Sequence, residues 1–310
     1  FFKIFNTLGL SCISIVSNVL RNISPYIIGR VGQRYLYSKN GHVILYPNGR
    51  KEMNDGSVGL VVEGLLKVRE LHRSYNNEAA VKSLNQAYQI QAALAEKIGG
   101  DLIGWKIGCT SKMAQELTNT DEPFYGRMFA STTFDSPATL ESKTLFAPIA
   151  EPEIAFRLGK ELTPRNSPYG KNDVLDAVDA MYLAIEIVDC RYAKGWPIGI
   201  LPTVADNGVH AAFVIGEEVA DWRTLNRPEI PVVAKIDGNV FTDGTAANVL
   251  DDPLNALVWL ANSCTSRGQS IKVREIVTTG NTVRDPIFVK PGNTVVATFG
   301  DIGSVEVSFV

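Results

Sequence analysis

Two glutamates separated by one residue form the clearest chemical signal in this chain. Glu151 and Glu153 lie in the largely apolar segment IAEPEIAFRL, which is typical of a β-strand. Because side chains alternate between the two faces of a strand, both carboxylates are expected on one face. Pro152 lies between them and cannot donate a ladder hydrogen bond, so it predicts an edge strand or the start of a strand.

A third carboxylate, Glu186, is predicted in the middle of a second apolar strand, between Ile185 and Ile187. A buried charge without a partner costs free energy. Three carboxylates on two strands could share one hard divalent cation, Mg²⁺ or Mn²⁺. The alternatives are a solvated strand face for the pair and a buried ion pair with Arg191 for Glu186.

The composition predicts a globular protein without nucleic acid as a partner. The chain has 310 residues, of which 45% are hydrophobic and 20% charged, and its net charge of −3 offers no basic surface for nucleic acid. Four dispersed cysteines indicate a reducing compartment rather than a disulfide framework. The three histidines have no zinc-site spacing.

The first 52 residues differ from the rest. Residues 1–51 contain seven Lys or Arg and no acid, as in a mitochondrial transit peptide. The uncharged run 4–20 is short and polar for a membrane span, which needs about 20 apolar residues. We expect a transit-like or non-native extension over 1–52 and a catalytic domain over 53–310. A cytoplasmic location without membrane contact follows, with a mitochondrial one as the alternative.

The hydrophobic periodicity predicts an α+β fold, with a helical N-terminal portion on a strand-rich remainder. The helices are expected at 58–75, 78–98, 110–117, 171–180 and 252–268. The strands are expected at 101–107, 148–158, 181–189, 210–216 and within 275–310, with a hairpin at 232–241 around Asp237-Gly238.

Several motifs then occur in one order and at consistent spacing. They are Ala87-Tyr-Gln-Ile-Gln91, Gly104-Trp-Lys-Ile-Gly108, Glu151-Pro-Glu-Ile-Ala155, Glu186-Ile-Val-Asp-Cys-Arg191, Val204-Ala-Asp-Asn207, Asp252-Pro-Leu-Asn-Ala256 and Thr279-Gly280. Together they resemble the hydratase/decarboxylase branch of the fumarylacetoacetate hydrolase superfamily over roughly residues 55–310. The resemblance implies a mixed β-roll or barrel and a homo-oligomer.

The resemblance also implies a site. Glu151, Glu153 and Glu186 would hold Mg²⁺ or Mn²⁺, and Lys106 would be catalytic, with a lowered pKa that lets it move protons. The substrate would be a small 2-oxo or 2-hydroxydienoate acid of aromatic catabolism, and the cation would stabilise its enolate. A hydratase like 2-keto-4-pentenoate hydratase is expected. The alternatives are a 4-oxalocrotonate-type decarboxylase, an acylpyruvate-type C–C hydrolase, or a non-catalytic relative.

Six further residues are candidates for substrate binding: Tyr125, Arg127, Asp206, Asn207, Thr279 and Gly280. Arginine suits bidentate carboxylate binding, and a hydroxyl with a backbone N–H could hold the same group. Each also has a structural explanation, because Asp-Asn pairs commonly stabilise turns and arginines are commonly exposed.

Three departures from the family pattern concern substrate recognition. Phe124 stands where the hydratases have Asp, Gly208-Val209 replaces Ala-Ser, and Asp252 stands where many relatives have His. His210 follows the second change and could supply a polar group or lie in a core turn. No acid–His dyad that could activate water for C–C cleavage is evident. The pattern predicts an intact metal centre and altered substrate recognition.

Overall fold

The computed structural model describes residues 56–310 and three short strands before them. These strands are Ile28–Arg30 (β1), Gln33–Tyr37 (β2) and Val43–Leu45 (β3), which form an antiparallel sheet. The chain divides into two units, residues 1–54 and 55–310. The uncharged run 4–20, on which the transit-peptide and membrane alternatives depend, lies outside the described residues. Within the described part, no helix has the length and apolarity that a membrane crossing requires.

The second unit contains helices and strands throughout. Its helices are Gly56–Leu71 (α1), Leu84–Ile98 (α2), Lys112–Thr118 (α3), Lys171–Ala177 (α4), Ile200–Ala205 (α5) and Pro253–Ser266 (α6). Its strands are Leu102–Gly108 (β4), Phe124–Phe129 (β5), Thr133–Asp135 (β6), Ala138–Leu140 (β7), Pro148–Leu158 (β8), Val178–Asp189 (β9), His210–Glu218 (β10), Pro231–Ile236 (β11), Asn239–Thr245 (β12), Ile276–Thr278 (β13), Ile287–Phe288 (β14), Thr294–Phe299 (β15) and Gly303–Phe309 (β16). Short 3₁₀ turns include Glu78–Ala80 and Asn207–Val209.

These strands form two mixed sheets. The larger has the order β5-β4-β13-β8-β9-β10-β6, and β14 pairs with β8 beyond the end of β13. The smaller has the order β12-β11-β15-β16-β7. Parallel pairs join β4 to β13, β6 to β10 and β7 to β16, and the other pairs are antiparallel. The combination of mixed sheets with helices agrees with the coarse prediction of the fold.

The two faces of the larger sheet differ in side-chain size. One face packs in the main hydrophobic core, which includes residues of α1, α2 and α6. The other carries a small separate cluster, made of Met128, Ala155, Ala180, Tyr182, Ala184 and Phe213. Ala155 lies two residues after Glu153 on β8, so the alternation of side chains puts both glutamates of the pair on this second face. Its alanines leave space beside the carboxylates.

The prediction for Pro152 was wrong, because the residue lies inside β8 and β8 has neighbours on both sides. On one side, β13 pairs with Ala155–Arg157 and β14 with Ile149–Ala150, which leaves an interruption between them. The carbonyl of Pro152 points into that interruption and accepts hydrogen bonds from the N–H and hydroxyl of Thr282. A residue without an N–H is tolerated there, since no strand requires its donor.

Two helix boundaries also differ from prediction for local reasons. The second helix begins at Leu84 rather than Glu78, because Ser83 caps it by accepting a hydrogen bond from the N–H of Gln86. The helix that starts at Lys171 ends at Ala177, where the chain enters β9 directly. The helix predicted at 252–268 is α6, and Asp252 caps it by accepting a hydrogen bond from the N–H of Leu254.

Gly104 allows the close approach of β4 to β13, and this gives a stability test. A Cβ at Gly104 would lie 1.8 Å from the carbonyl oxygen of Ile276, which belongs to the backbone and cannot turn aside. We therefore expect Gly104→Ala to lower the free energy of unfolding by about 1–3 kcal/mol, as measured by urea denaturation.

The matched control is Gly59→Ala in α1, where a Cβ would meet nothing within 4 Å. Because alanine favours a helix over glycine, this variant is expected to gain up to about 1 kcal/mol. Equal stability of Gly104→Ala and the unmodified protein would contradict the packing argument.

Candidate metal centre and active site

The two predicted strands place Glu151 directly opposite Glu186. These residues are register partners in the antiparallel pair β8–β9, so their side chains leave the sheet on the same face. Glu153 follows on that face, and one oxygen from each of the three carboxylates lies within 4.8 Å of the others. Like charges directly opposite each other destabilise a sheet, so this arrangement requires a cation or protons between the carboxylates.

The Glu153 carboxylate is oriented by two donors, one at the end of β13 and one in the loop that follows it. The hydroxyl of Thr278 and the N–H of Gly280 both donate to Oε2, the second at 2.8 Å. Oε1 is buried and has no hydrogen-bond partner among the described residues. Gly280 has a φ of +113°, and a Cβ there would lie 2.0 Å from Oγ1 of Thr110, so the loop needs glycine at this position.

Glu186 lies between two basic side chains. Nζ of Lys106 is 3.0 Å from Oε2, although not in hydrogen-bond geometry, and Nδ1 of His210 is 2.8 Å from Oε1. The alternative partner Arg191 instead pairs with Asp206 at 2.9 Å. Glu186 therefore belongs to the carboxylate site rather than to a structural pair with Arg191.

Lys106 is buried on the same face of the sheet, with only 1% of its surface exposed. It is the register partner of Gly126 on β5 and of Thr278 on β13. Its ammonium lies 5.3 Å from the centre of the Phe124 ring, in a cation–π contact. The structure thus places the predicted catalytic lysine beside the predicted metal ligands.

The charges in the site shift one another's pKa values. Burial lowers the pKa of Lys106, but the neighbouring Glu186, Glu151 and Glu153 outweigh it and raise that pKa above its ordinary value. The expectation of a lowered lysine pKa does not hold for the metal-free protein. A divalent cation at the same carboxylates would oppose the upward shift.

Among the carboxyl groups, burial raises the pKa of Glu151 to about 7, against the attraction of Lys106. Burial also raises the pKa of Glu153 well above its ordinary value. For Glu186, burial acts in the same direction, but Lys106 and His210 outweigh it and lower the pKa. The site therefore holds one ionised carboxylate firmly and two that retain protons more readily.

The donor set fits a hard divalent cation. Its three members are carboxylates, which Mg²⁺ and Mn²⁺ prefer, and Glu153 keeps a buried oxygen without a protein partner. Without such a cation, protons on the carboxyl groups and the ammonium of Lys106 would have to balance the negative charge of the three carboxylates. Glu151, Glu153 and Glu186 are thus the residues that would hold the metal.

His210 contacts a predicted metal ligand, Glu186, although the sequence analysis did not select it as a site residue. This contact is an acid–His pair, so the expectation that the chain has no such dyad is corrected. Burial lowers the pKa of His210 despite that carboxylate, which favours the neutral ring. The sequence carried no signal for this pair, because it depends on β10 lying next to β9.

A strained turn leads into His210. Asn207, Gly208 and Val209 have φ values of +59°, +62° and +55°, which is unusual for a β-branched residue such as Val209. The side chain of Asn207 accepts a hydrogen bond from the N–H of Arg127 and donates one to its carbonyl, both at 2.8 Å. The turn is therefore fixed to β5 by both ends of one amide side chain.

Gly208 keeps this turn close to the lysine. A Cβ at Gly208 would lie 3.0 Å from Cδ of Lys106 and from the Phe124 ring. The departure from the family pattern at this position thus gives space to the phenyl ring and to the lysine stem.

Asp206 and Asn207 were candidates for substrate binding, but the structure gives them protein partners. Asp206 is fully buried, and its two oxygens pair with Arg69 at 2.6 Å and Arg191 at 2.9 Å. Both polar atoms of the Asn207 side chain bond the backbone of β5. These residues position the turn rather than face the carboxylates.

The side chains of Tyr125 and Arg127, on β5, lie on the face of the sheet opposite to that of Lys106, on β4. Their register partners on β4 are Ile107 and Trp105, whose side chains alternate with that of Lys106. The Arg127 guanidinium stacks on Trp105 at 3.6 Å, and the Tyr125 hydroxyl donates to Gln269 at 3.1 Å. The structure does not bring these two candidates to the carboxylates.

The last two candidates belong to the loop after β13. The hydroxyl of Thr279 donates to the carbonyl of Ile154, and the N–H of Gly280 is used by Glu153. Gly280 therefore contributes to the site by holding a carboxylate of the protein. Thr278, which the sequence analysis did not select, acts with it.

Loss of one ligand tests the metal centre directly. Glu153→Gln keeps the size of the side chain but removes the charge, so we expect the Kd for Mn²⁺ to rise at least tenfold. Electron paramagnetic resonance of free Mn²⁺ measures this Kd. Glu63→Gln on the exposed surface of α1 is the control and should bind Mn²⁺ unchanged. Equal binding by both variants would exclude the proposed ligand.

The pH dependence of Mn²⁺ binding follows from the raised carboxyl pKa values. Glu151 holds a proton below about pH 7, and the cation must displace it. We expect the apparent affinity to fall about tenfold per pH unit below 7 for each proton displaced. A Kd for Mn²⁺ that stays constant between pH 5.5 and 7.5, measured by calorimetry, would contradict this.

The stability of the metal-free protein should change in the opposite direction. Because the folded-state pKa of Glu151 is raised to about 7, the folded state binds more protons than the unfolded state between the ordinary carboxyl pKa and that value. The contribution of Glu151 to the free energy of unfolding therefore decreases as the pH rises through this window.

Comparison with known proteins agrees with this geometry. The model of the fumarylacetoacetate (FAA) hydrolase C-terminal family matches residues 111–310. The chain is 32% identical over 230 residues to 2-keto-4-pentenoate hydratase of Paraburkholderia xenovorans. This alignment covers 73% of this chain and 84% of that protein. It is 33% identical over 224 residues to 2-hydroxyhexa-2,4-dienoate hydratase of Comamonas testosteroni, with coverages of 71% and 83%.

A solved structure shares the fold. It is 4-oxalocrotonate decarboxylase from Pseudomonas putida G7 complexed with magnesium and adipate, with a TM-score of 0.76 and 24% identity. The match covers 84% of this chain and 100% of that one. The predicted family is confirmed by the family model and by the curated relatives: the chain belongs to the fumarylacetoacetate hydrolase family.

Proposed function

We propose that this protein is a divalent-metal-dependent lyase of the hydratase type, acting on a small 2-oxo or 2-hydroxydienoate acid. The observation that carries the proposal is the set of Glu151, Glu153 and Glu186 on one sheet face with Lys106 buried beside them. The identity of about one third to curated hydratases over most of their length supports the same reaction class.

The chain's own residues have distinct tasks in this proposal. A bound Mg²⁺ or Mn²⁺ would supply a Lewis acid for the carboxylate and 2-oxo oxygens of such a substrate. Thr278 and Gly280 hold Glu153, and His210 holds Glu186, so the ligands need little rearrangement. Lys106 holds a proton at Nζ, which is the group positioned to protonate a dienol carbon.

The same proposal extends to features of organisation. Residues 53–310 would form the catalytic domain, with a helical N-terminal portion beside a β-roll or barrel, and the protein would be a homo-oligomer. A roll or barrel requires the larger sheet to curve until its ends approach each other. The hydrogen bond from Asn207 to the backbone of β5 supports this, because it links the turn before β10 to the strand at the opposite end of the sheet.

A decarboxylase of the 4-oxalocrotonate type is the second candidate, and Phe124 favours it. This residue lies over Lys106, where the resemblance places an Asp in hydratases, and an apolar ring cannot exchange protons. The Glu186–His210 pair also removes the earlier objection to a C–C hydrolase, because it is an acid–His dyad.

A direct assay separates these reactions. The purified chain would be supplied with Mg²⁺ or Mn²⁺ and either 2-hydroxypenta-2,4-dienoate or 4-oxalocrotonate. Loss of dienol absorbance without CO₂ release is expected for the hydratase, and CO₂ release from the second substrate indicates the decarboxylase. No turnover of either substrate together with no Mn²⁺ binding would leave only a non-catalytic relative.

The role of Lys106 is tested by Lys106→Met, which keeps the stem but removes the proton. We expect kcat to fall at least about 100-fold, the usual scale for a lost acid–base group. Lys143→Met is the control, because Lys143 is 80% exposed and far along the chain from β4. Turnover of Lys106→Met within threefold of the unmodified enzyme would exclude Lys106 as the proton carrier.

A further inference from the structure

The imidazole of His210 has one nitrogen in use and one without a partner. Nδ1 lies 2.8 Å from Oε1 of Glu186, whereas Nε2 is buried and forms no hydrogen bond with any described residue. The side chain is only 2% exposed, so bulk water does not account for Nε2. A buried polar atom without a partner is unfavourable, because it has lost its hydrogen bonds to water, and a bound group that pairs with Nε2 would remove that cost.

The neighbours of His210 decide which nitrogen carries the proton. The ammonium of Lys106 lies 3.0 Å from Oε2 of Glu186, and a carboxylate that faces an ammonium or holds a metal accepts hydrogen bonds. Nδ1 must therefore carry the hydrogen and donate it to Oε1. In a neutral imidazole the other nitrogen, Nε2, then offers a lone pair and accepts.

The position of His210 is constrained from the backbone side as well. The three residues before it have positive φ values, and Nη2 of Arg191 donates to the carbonyl of His210 at 2.9 Å. Strain of this kind persists only where the surrounding structure determines it, and it gathers at sites of function. The backbone of His210 is therefore fixed by contacts that do not involve the nitrogens of its ring.

The missing partner of Nε2 must be a donor. The group of carboxylates that could share a cation comprises Glu151, Glu153 and Glu186 and does not include His210. A hydroxyl group fits, and two reactants of the proposed reaction bring one: the water that adds to the dienoate and the enol of the substrate.

We propose that His210 is a positioning residue that joins the metal ligands to the reactant: Nδ1–H holds Glu186, and Nε2 accepts a hydrogen bond from a hydroxyl of the bound water or substrate. This inference rests on the proposed function for the identity of the hydroxyl. The contact with Glu186 stands independently of it.

Three variants separate the two nitrogens. His210→Asn can place an amide N–H near the position of Nδ1 and has no atom at Nε2. His210→Gln can place its amide near Nε2 and loses Nδ1. His210→Phe keeps the ring and loses both. His72→Asn is the matched control, because His72 is exposed and bonds to none of these residues.

The Mn²⁺ Kd reports on Nδ1. We expect His210→Asn to bind Mn²⁺ within about threefold of the unmodified protein, and His210→Phe to bind about tenfold or more weakly, the usual effect of losing a group that holds a metal ligand. Equal Kd values for His210→Phe and the unmodified protein would overturn the role of Nδ1. This comparison needs no turnover, so it stays valid if the proposed function fails.

Steady-state kinetics with 2-hydroxypenta-2,4-dienoate report on Nε2. We expect kcat/KM of His210→Asn to fall at least tenfold, with partial recovery in His210→Gln. A fall in kcat at constant KM identifies the water as the donor. A rise in KM, with unchanged inhibition by pyruvate, identifies the substrate hydroxyl. A kcat/KM for His210→Asn within threefold of the unmodified enzyme, with or without a lower Tm, would overturn the proposal and leave only a buried structural water.

Discussion

The electrostatic repulsion among three carboxylates, two of them buried and Glu151 half-buried, is the constraint on which the site depends. Glu151, Glu153 and Glu186 would carry three negative charges, and Lys106 supplies one positive charge. The imbalance of two charges can be met by protons or by one divalent cation. The raised pKa values of Glu151 and Glu153 show the first solution in the metal-free protein. Binding of a divalent metal at these carboxyl groups would therefore release protons from them.

The sheet meets this constraint by a local defect in its hydrogen bonding. The ladder beside β8 is interrupted between β13 and β14 at Pro152, which has no N–H to donate, and a loop fills the gap. That loop brings the N–H of Gly280 to Glu153. The residue that predicted an edge strand or a strand start therefore lies at the interruption from which the Glu153 carboxylate is held.

The same-face placement of Glu151 and Glu153 could be predicted, because it depends only on the alternation of a single strand. The pairing of Glu151 with Glu186 needed the family resemblance, since strand register is not visible in one sequence. Tyr125 and Arg127 show the limit: whether their face of β5 meets Lys106 depends on the register with β4. His210 shows the same limit, because its contact with Glu186 depends on the pairing of β10 with β9 and on a register shift directly after His210.

The glycines around Lys106 have a consequence for stereochemistry. Gly126 and Gly208 lie so close that a Cβ on either would lie 3.0–3.2 Å from the lysine stem, and Phe124 covers its ammonium. A side chain enclosed in this way has few rotamers, so in the proposed reaction its proton would approach a planar dienol from one side only. The handedness of the newly protonated carbon would then depend on two glycines that restrict the lysine and not on any contact that they make with the substrate.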